Sequence, residues 1–245
     1  MIEFTVADWA AWAPGLTGAE DWRAWARQPY PPRGEDAPPL TEVPAMQRRR
    51  IERLGRMAMQ AAYWCQPAQA EAMPLVFASR HGDPARSLEL LDAMTRGEAM
   101  SPAGFSLSVH NAIAAMYSIV RGERGNYVAL AAGAATAEAA LVEAAGLLAD
   151  GAPEALVVLY DSPLPEVYQS YADEPDPYYA WCWRIARAGE GPRIALANAA
   201  DEPGIEEPAP PGLPHGLDVL RFLLAGDAEL TFRDQGVQWR WSRRA

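Results

Sequence analysis

Four short stretches hold the residue types from which a nucleophile, a base or an acid can be built. "SRHGD" places Ser79, His81 and Asp83 together, the three types of a hydrolase triad. In an extended chain their side chains would share a face about 7 Å apart. That exceeds the roughly 3 Å hydrogen bond a nucleophile and its base require, so a structural loop after a strand is the plainer reading. "SVHN" offers Ser108, His110 and Asn111 early in an apolar helix, where Asn111 is expected to bond loop backbone and His110 to pack against a neighbour. Asp161 ends a strand in "YDSPLP", where open α/β sheets often carry functional groups, although capping or turn formation is the better explanation. "YVALAAGAATAEAAL" (127–141) reads as an apolar strand, a glycine-containing turn and an Ala-rich helix. A helix start is a place to activate a nucleophile. This turn holds only Gly133, Ala134, Ala135 and Thr136, and Thr136 has no general base nearby in sequence.

The elements that must position these residues alternate along the chain. "IEFTV" (2–6) predicts a first strand, followed by a Trp-rich segment and a Pro-rich loop that no helix survives. Within 45–65, Ile51, Leu54, Ala58, Ala61 and Cys65 recur at three- and four-residue spacing, which predicts one amphipathic helix. Strands follow at 74–79 and 154–161, with helices over 83–97 and within 101–122; Pro84 and Gly97 bracket the first of these as caps prefer. Apolar strands alternating with helices predict a mostly parallel sheet covered on both faces. The last third changes character. "YYAWCWRIARA" and "PRIALANA" read as neighbouring strands, then come a Pro/Glu-rich loop (201–214), a short helix and a terminal hairpin. A single domain over 1–245 is the simplest account.

Half of the 245 residues are hydrophobic and 22% are charged, as expected of an ordered chain with a substantial core. The formal charge of −11 disfavours non-specific nucleic-acid binding. Cys65 and Cys182 make neither a disulfide framework nor a zinc motif, so no metal and no cofactor is expected, and a reducing compartment fits. No signal peptide is evident, and Glu138 and Glu143 interrupt the most apolar run, so no membrane span is expected and the cytoplasm is the expected location.

The block "SPAGFSLSVHNAIAAMYSIVRGERGNYVALAAGAATAEAAL", with "VFASRHGD" upstream, resembles the N-terminal half of a β-ketoacyl synthase. In that family a Ser-Pro pair leads into a helix carrying an Asn, then a Gly-x-x-Gly loop, then a strand ending at the catalytic cysteine. The corresponding positions are Ser101-Pro102, Asn111, Gly122 and Gly125, and the strand 127–131. The resemblance is specific over 45–160, looser over 1–44, and absent beyond 165. It implies an α/β, thiolase-like half-fold with extra C-terminal strands, with 165–245 as a divergent extension.

Carried across residue by residue, the cysteine position falls on Ala134, with Thr136, Asn111 and His110 as its neighbours. Alanine can form no thiolate, so the nucleophile site is vacated. Active members also bring two histidines from a C-terminal repeat, and here His215 is the only histidine after 160. The subgroup resembled is the short, cysteine-less, chain-length-factor type of aryl polyene and xanthomonadin-like pathways. This implies a subunit that is not catalytic by itself and pairs as a heterodimer with an active β-ketoacyl synthase, with 106–141 contributing to the partner surface and an acyl carrier protein delivering the chain. The alternatives are a stand-alone acyl-thioester hydrolase or acyltransferase using Ser, Thr or His of the same cleft, and a self-associated scaffold.

Arg48, Arg49, Arg50, Arg53 and Arg56, with only Glu52 against them, form a basic patch in an acidic chain. Such a patch suits an acidic carrier protein or partner, or else a solvated helix face with internal ion pairs. The paired tryptophans at 9/12, 22/25, 181/183 and 239/241 mark element faces suited to an interface or core rather than a cofactor box.

Overall fold

A computed structural model describes residues 1–67, 72–189, 191–200 and 212–245. The strands are β1 (Ile2–Trp12), β2 (Leu75–Ala78), β3 (Tyr127–Leu130), β4 (Glu154–Asp161), β5 (Tyr179–Arg187), β6 (Arg193–Ala200), β7 (Glu229–Asp234) and β8 (Val237–Arg244). They form one sheet in the order β3-β2-β4-β5-β1-β6-β8-β7. The helices are α1 (Ala19–Arg27), α2 (Ala45–Arg48), α3 (Arg53–Cys65), α4 (Pro84–Thr95), α5 (Pro102–Ser106), α6 (Ala112–Arg121), α7 (Thr136–Ala149) and α8 (His215–Ala225).

The α/β thiolase-like class holds, but the sheet is mixed rather than mostly parallel. β2 runs parallel to β3 and β4, where helices make the crossovers, and the five remaining pairings are antiparallel. Antiparallel neighbours need no crossover helix, and the strand-rich last third supplies few. β5 and β6 are not neighbours as the sequence suggested. β1 lies between them, pairing with β5 over Phe4–Arg187 to Trp12–Ala180 and with β6 over Ile2–Phe4.

Strand residues alternate between two cores, as the two-residue period of a pleated sheet requires. Val76, Val157, Leu159, Trp181 and Trp183 face α1, α7 and α8. Leu75, Phe77, Leu156, Val158 and Cys182 face α3 and α6. Trp12, Trp22, Trp25, Trp181, Trp183 and Trp241 are core, whereas Trp9 and Trp239 are half-buried and Trp64 is exposed. Trp181 and Trp183 lie 4.7 Å apart by ring centroid, Trp241 closes on Trp183 edge-on, and Trp22 meets Trp25 at 5.1 Å. The Trp22 indole donates to the Ala11 carbonyl and that of Trp181 to the Gly216 carbonyl, so their polar ends are satisfied.

The single helix expected over 45–65 is broken at 49–52. Ile51 turns into the core and Glu52 takes an extended conformation before α3. The Arg56 guanidinium donates to the carbonyls of Ile51 and Arg48, satisfying groups that the break exposes. Residues 201–211 of the Pro/Glu-rich loop lie outside the described residues. Among the described residues no helix is long and apolar enough to cross a membrane, and no group of three His, Cys, Asp or Glu side chains is placed to hold a metal.

Candidate functional site

The strand–turn–helix read over 127–141 forms, and its helix runs on to Ala149. Gly133 sits at φ 57°, a left-handed conformation that a side chain would strain, and it turns β3 into α7. The buried Thr136 hydroxyl donates to the Gly133 carbonyl at 2.6 Å and accepts from the Ala132 N–H at 3.0 Å. Both hydrogen-bonding capacities close the turn, which gives Thr136 a structural use at the elbow.

Ala134 lines an open cleft of 740 Å³ between the elbow, the start of α8 and the β7–β8 hairpin. α8 lies hard against the sheet because residue 216 is glycine: a Cβ there would collide with the Tyr179 hydroxyl and Leu159. That contact carries His215 to the elbow. Its Nε2 lies 2.6 Å from Oε1 of Glu138, a fully buried carboxylate in the first turn of α7, and the Trp241 indole donates to the same oxygen at 2.8 Å. The imidazole stacks on Phe232 at 3.5 Å between ring centroids, and the His215 backbone N–H donates to Glu174. The Glu138–His215 pair was not legible in the sequence. Its members stand 77 residues apart, and Glu138 read only as an interruption of an apolar run.

Asn111 and His110 do not line this cleft. Asn111 stands at the N-cap of α6 without a side-chain cap bond, its carbonyl accepting from Ala115. The His110 Nε2 lies 3.0 Å from the Ser79 carbonyl, and its ring packs where a Cβ at Gly82 would sit, so it braces the loop after β2. Ser79, His81 and Asp83 are not a triad. Ser79 Oγ donates to Asp161 at 2.8 Å and accepts from the Gly82 N–H, while Asp83 caps α4 by accepting from the Arg86 N–H. Asp161 also accepts from the Arg80 N–H, and burial pushes its carboxyl up to about 7 against these bonds. The Arg80 guanidinium clamps Asp173 and Glu174, joining this loop to the segment that holds His215.

Three of the five clustered arginines have intramolecular work. Arg48 donates to the Leu40 carbonyl, Arg53 donates to that of Gly34 and stacks 3.6 Å over Tyr178, and Arg56 closes the helix break. Arg49 and Arg50 are exposed, and their guanidinium groups have no partner among the described residues.

The fold, with its strand–turn–helix elbow, defines a thiolase-like chain. Residues 22–242 match the profile of the beta-ketoacyl synthase N-terminal domain, and the chain belongs to that family. It is similar to a chain in the complex of the ketosynthase ApeO with its chain length factor ApeC from Xenorhabdus doucetiae, at 25% identity and a TM-score of 0.82, covering 99% of this chain and 100% of that one. It shares the fold of the ishigamide ketosynthase/chain length factor, with 15% identity, a TM-score of 0.57, and 82% of this chain and 68% of that one covered. It likewise shares the fold of a beta-ketoacyl synthase from Burkholderia phymatum STM815, with 12% identity, a TM-score of 0.59 and coverage of 92% and 70%. No curated protein sequence matches the chain.

Proposed function

We propose that this chain is a ketosynthase-like subunit of the chain-length-factor type. It performs no condensation itself and pairs with an active β-ketoacyl synthase in aryl polyene or related fatty-acyl or polyketide synthesis. The observation that carries the reading is the elbow itself: strand, left-handed glycine and helix start are present, and on this reading Ala134 occupies the nucleophile position. Relative length supports it. The matched chain of the ApeO–ApeC complex is covered end to end, whereas ketosynthases of the same fold are covered over only 43% to 70% of their length.

The two sheet edges point the same way. β7, "ELTFRD", carries the charges that protect an edge from pairing. β3, "YVAL", carries none. In the β2–β3 register Leu75 donates to the Asn126 carbonyl and Ser79 to that of Leu130, so the N–H and C=O groups of Tyr127 and Ala129 point away from the sheet. Exposed Phe105, Val109, Ile119 and Val142 supply apolar surface in the same part of the chain, 105–142. An uncharged open edge with such surface suits a partner strand and its helices.

The acyl carrier protein would meet the basic face through Arg49 and Arg50, with Arg48, Arg53 and Arg56 holding that face in shape, in a complex working in the cytoplasm. The test is native mass spectrometry of the tagged chain from cells that also express the candidate ketosynthase. A 1:1 complex is expected; a lone monomer or homodimer refutes the pairing.

A further inference from the structure

The cleft beside Ala134 has lost its nucleophile but keeps an oriented base. The Glu138 carboxylate accepts from His215 Nε2, which fixes the tautomer with the proton on Nε2 and the lone pair on Nδ1. Nδ1 has no protein partner among the described residues, and His215, 3% exposed, forms part of the cleft wall. Trp241 and the stacked Phe232 ring hold carboxylate and imidazole in place. This is the base-and-orienter arrangement of hydrolytic enzymes, without the side-chain nucleophile they place in front of it.

We propose that Glu138 and His215 form a general-base dyad that activates water against an acyl thioester held in this cleft. The water oxygen bonds to the acyl carbon while its proton passes to His215 Nδ1. The C–S bond then breaks, the departing thiolate takes that proton, and a carboxylic acid and a thiol leave. Water is the only co-reactant, and no acyl group becomes attached to the chain. His215 is the catalytic residue and Glu138 the positioning residue. The proposal rests on the cleft alone and not on pairing with a ketosynthase.

The probe is hexanoyl-N-acetylcysteamine, with hexanoic acid quantified by chromatography. The protein is the purified chain and, where it pairs, the complex with its ketosynthase cysteine alkylated. The wild type is expected to hydrolyse the probe saturably above buffer. His215→Asn should fall to background. Glu138→Gln, which can still accept from Trp241, should lower kcat by roughly 10²-fold with KM little changed, the scale of a mispositioned general base. No turnover above buffer by the wild type overturns the proposal. So does unchanged turnover in a His215→Asn protein that melts like the wild type, or an acyl adduct in the quenched intact mass. None of these outcomes bears on complex formation, which the native mass reads separately.

Discussion

Replacing Ala129 with proline separates the stability of the chain from its ability to pair. In the β2–β3 ladder the Ala129 N–H points away from β2 and takes part in no bond within the sheet. Proline is tolerated on an edge strand whose N–H faces outward, and the preceding Val128 is already extended, as a residue before proline prefers. The folded chain should therefore lose less than about 1 kcal/mol, since no buried group is orphaned. Against a partner strand the same change removes one ladder bond and leaves the opposing carbonyl buried and unsatisfied, at about 1–3 kcal/mol. With the ring also intruding on the partner backbone, pairing should weaken about 10²-fold or more, taking 1.4 kcal/mol per tenfold. Titration calorimetry or mass photometry with the ketosynthase reads the affinity, and a thermal melt of the isolated variant reads the fold. A variant that melts like the wild type and still pairs with undiminished affinity would refute the assignment of β3 as the pairing edge.

Asp161 keeps its proton to about 7 in the folded chain and releases it near 4 when unfolded, so between those values the folded state binds more protons and stability falls as pH rises, by about 4 kcal/mol at most. Asp161→Asn should flatten that fall in melts taken from pH 4.5 to 7.5, and an equally steep fall in the variant would assign it elsewhere. Ala134→Cys should yield no condensation product when mixed with acyl and malonyl carrier proteins, because His215 is the only histidine lining the cleft; product formation by that variant alone would count against a non-condensing role. Reversing charge in Arg49→Glu/Arg50→Glu should weaken carrier-protein association in a salt-dependent way without moving the melting temperature, as exposed charges do. Arg53→Ala should instead lower stability, since its guanidinium holds Gly34 and covers Tyr178.

What the sequence reveals follows the range of the interactions involved. The elbow is legible because strand, glycine and helix are consecutive and each is set locally: β3 begins where its apolar pattern places it and ends one residue sooner, and α7 begins directly after the glycine turn. The arginines at 48–56 show why helical periodicity alone fails there. Their charge reads as surface, but Arg48, Arg53 and Arg56 are spent on backbone carbonyls around a helix break that apolar spacing does not register. β1 between β5 and β6 is a pairing of the first strand with the last third of the chain, and no local pattern encodes a partner so distant. The same limit hid the chemistry. Read along the chain, Ala134 is an empty site and His215 a stray histidine. Gly216 lets α8 press onto the sheet, and that packing places imidazole, carboxylate and elbow together. On the proposed reading, alanine at the nucleophile position removes condensation, while the fold around it still orients a base toward the same space.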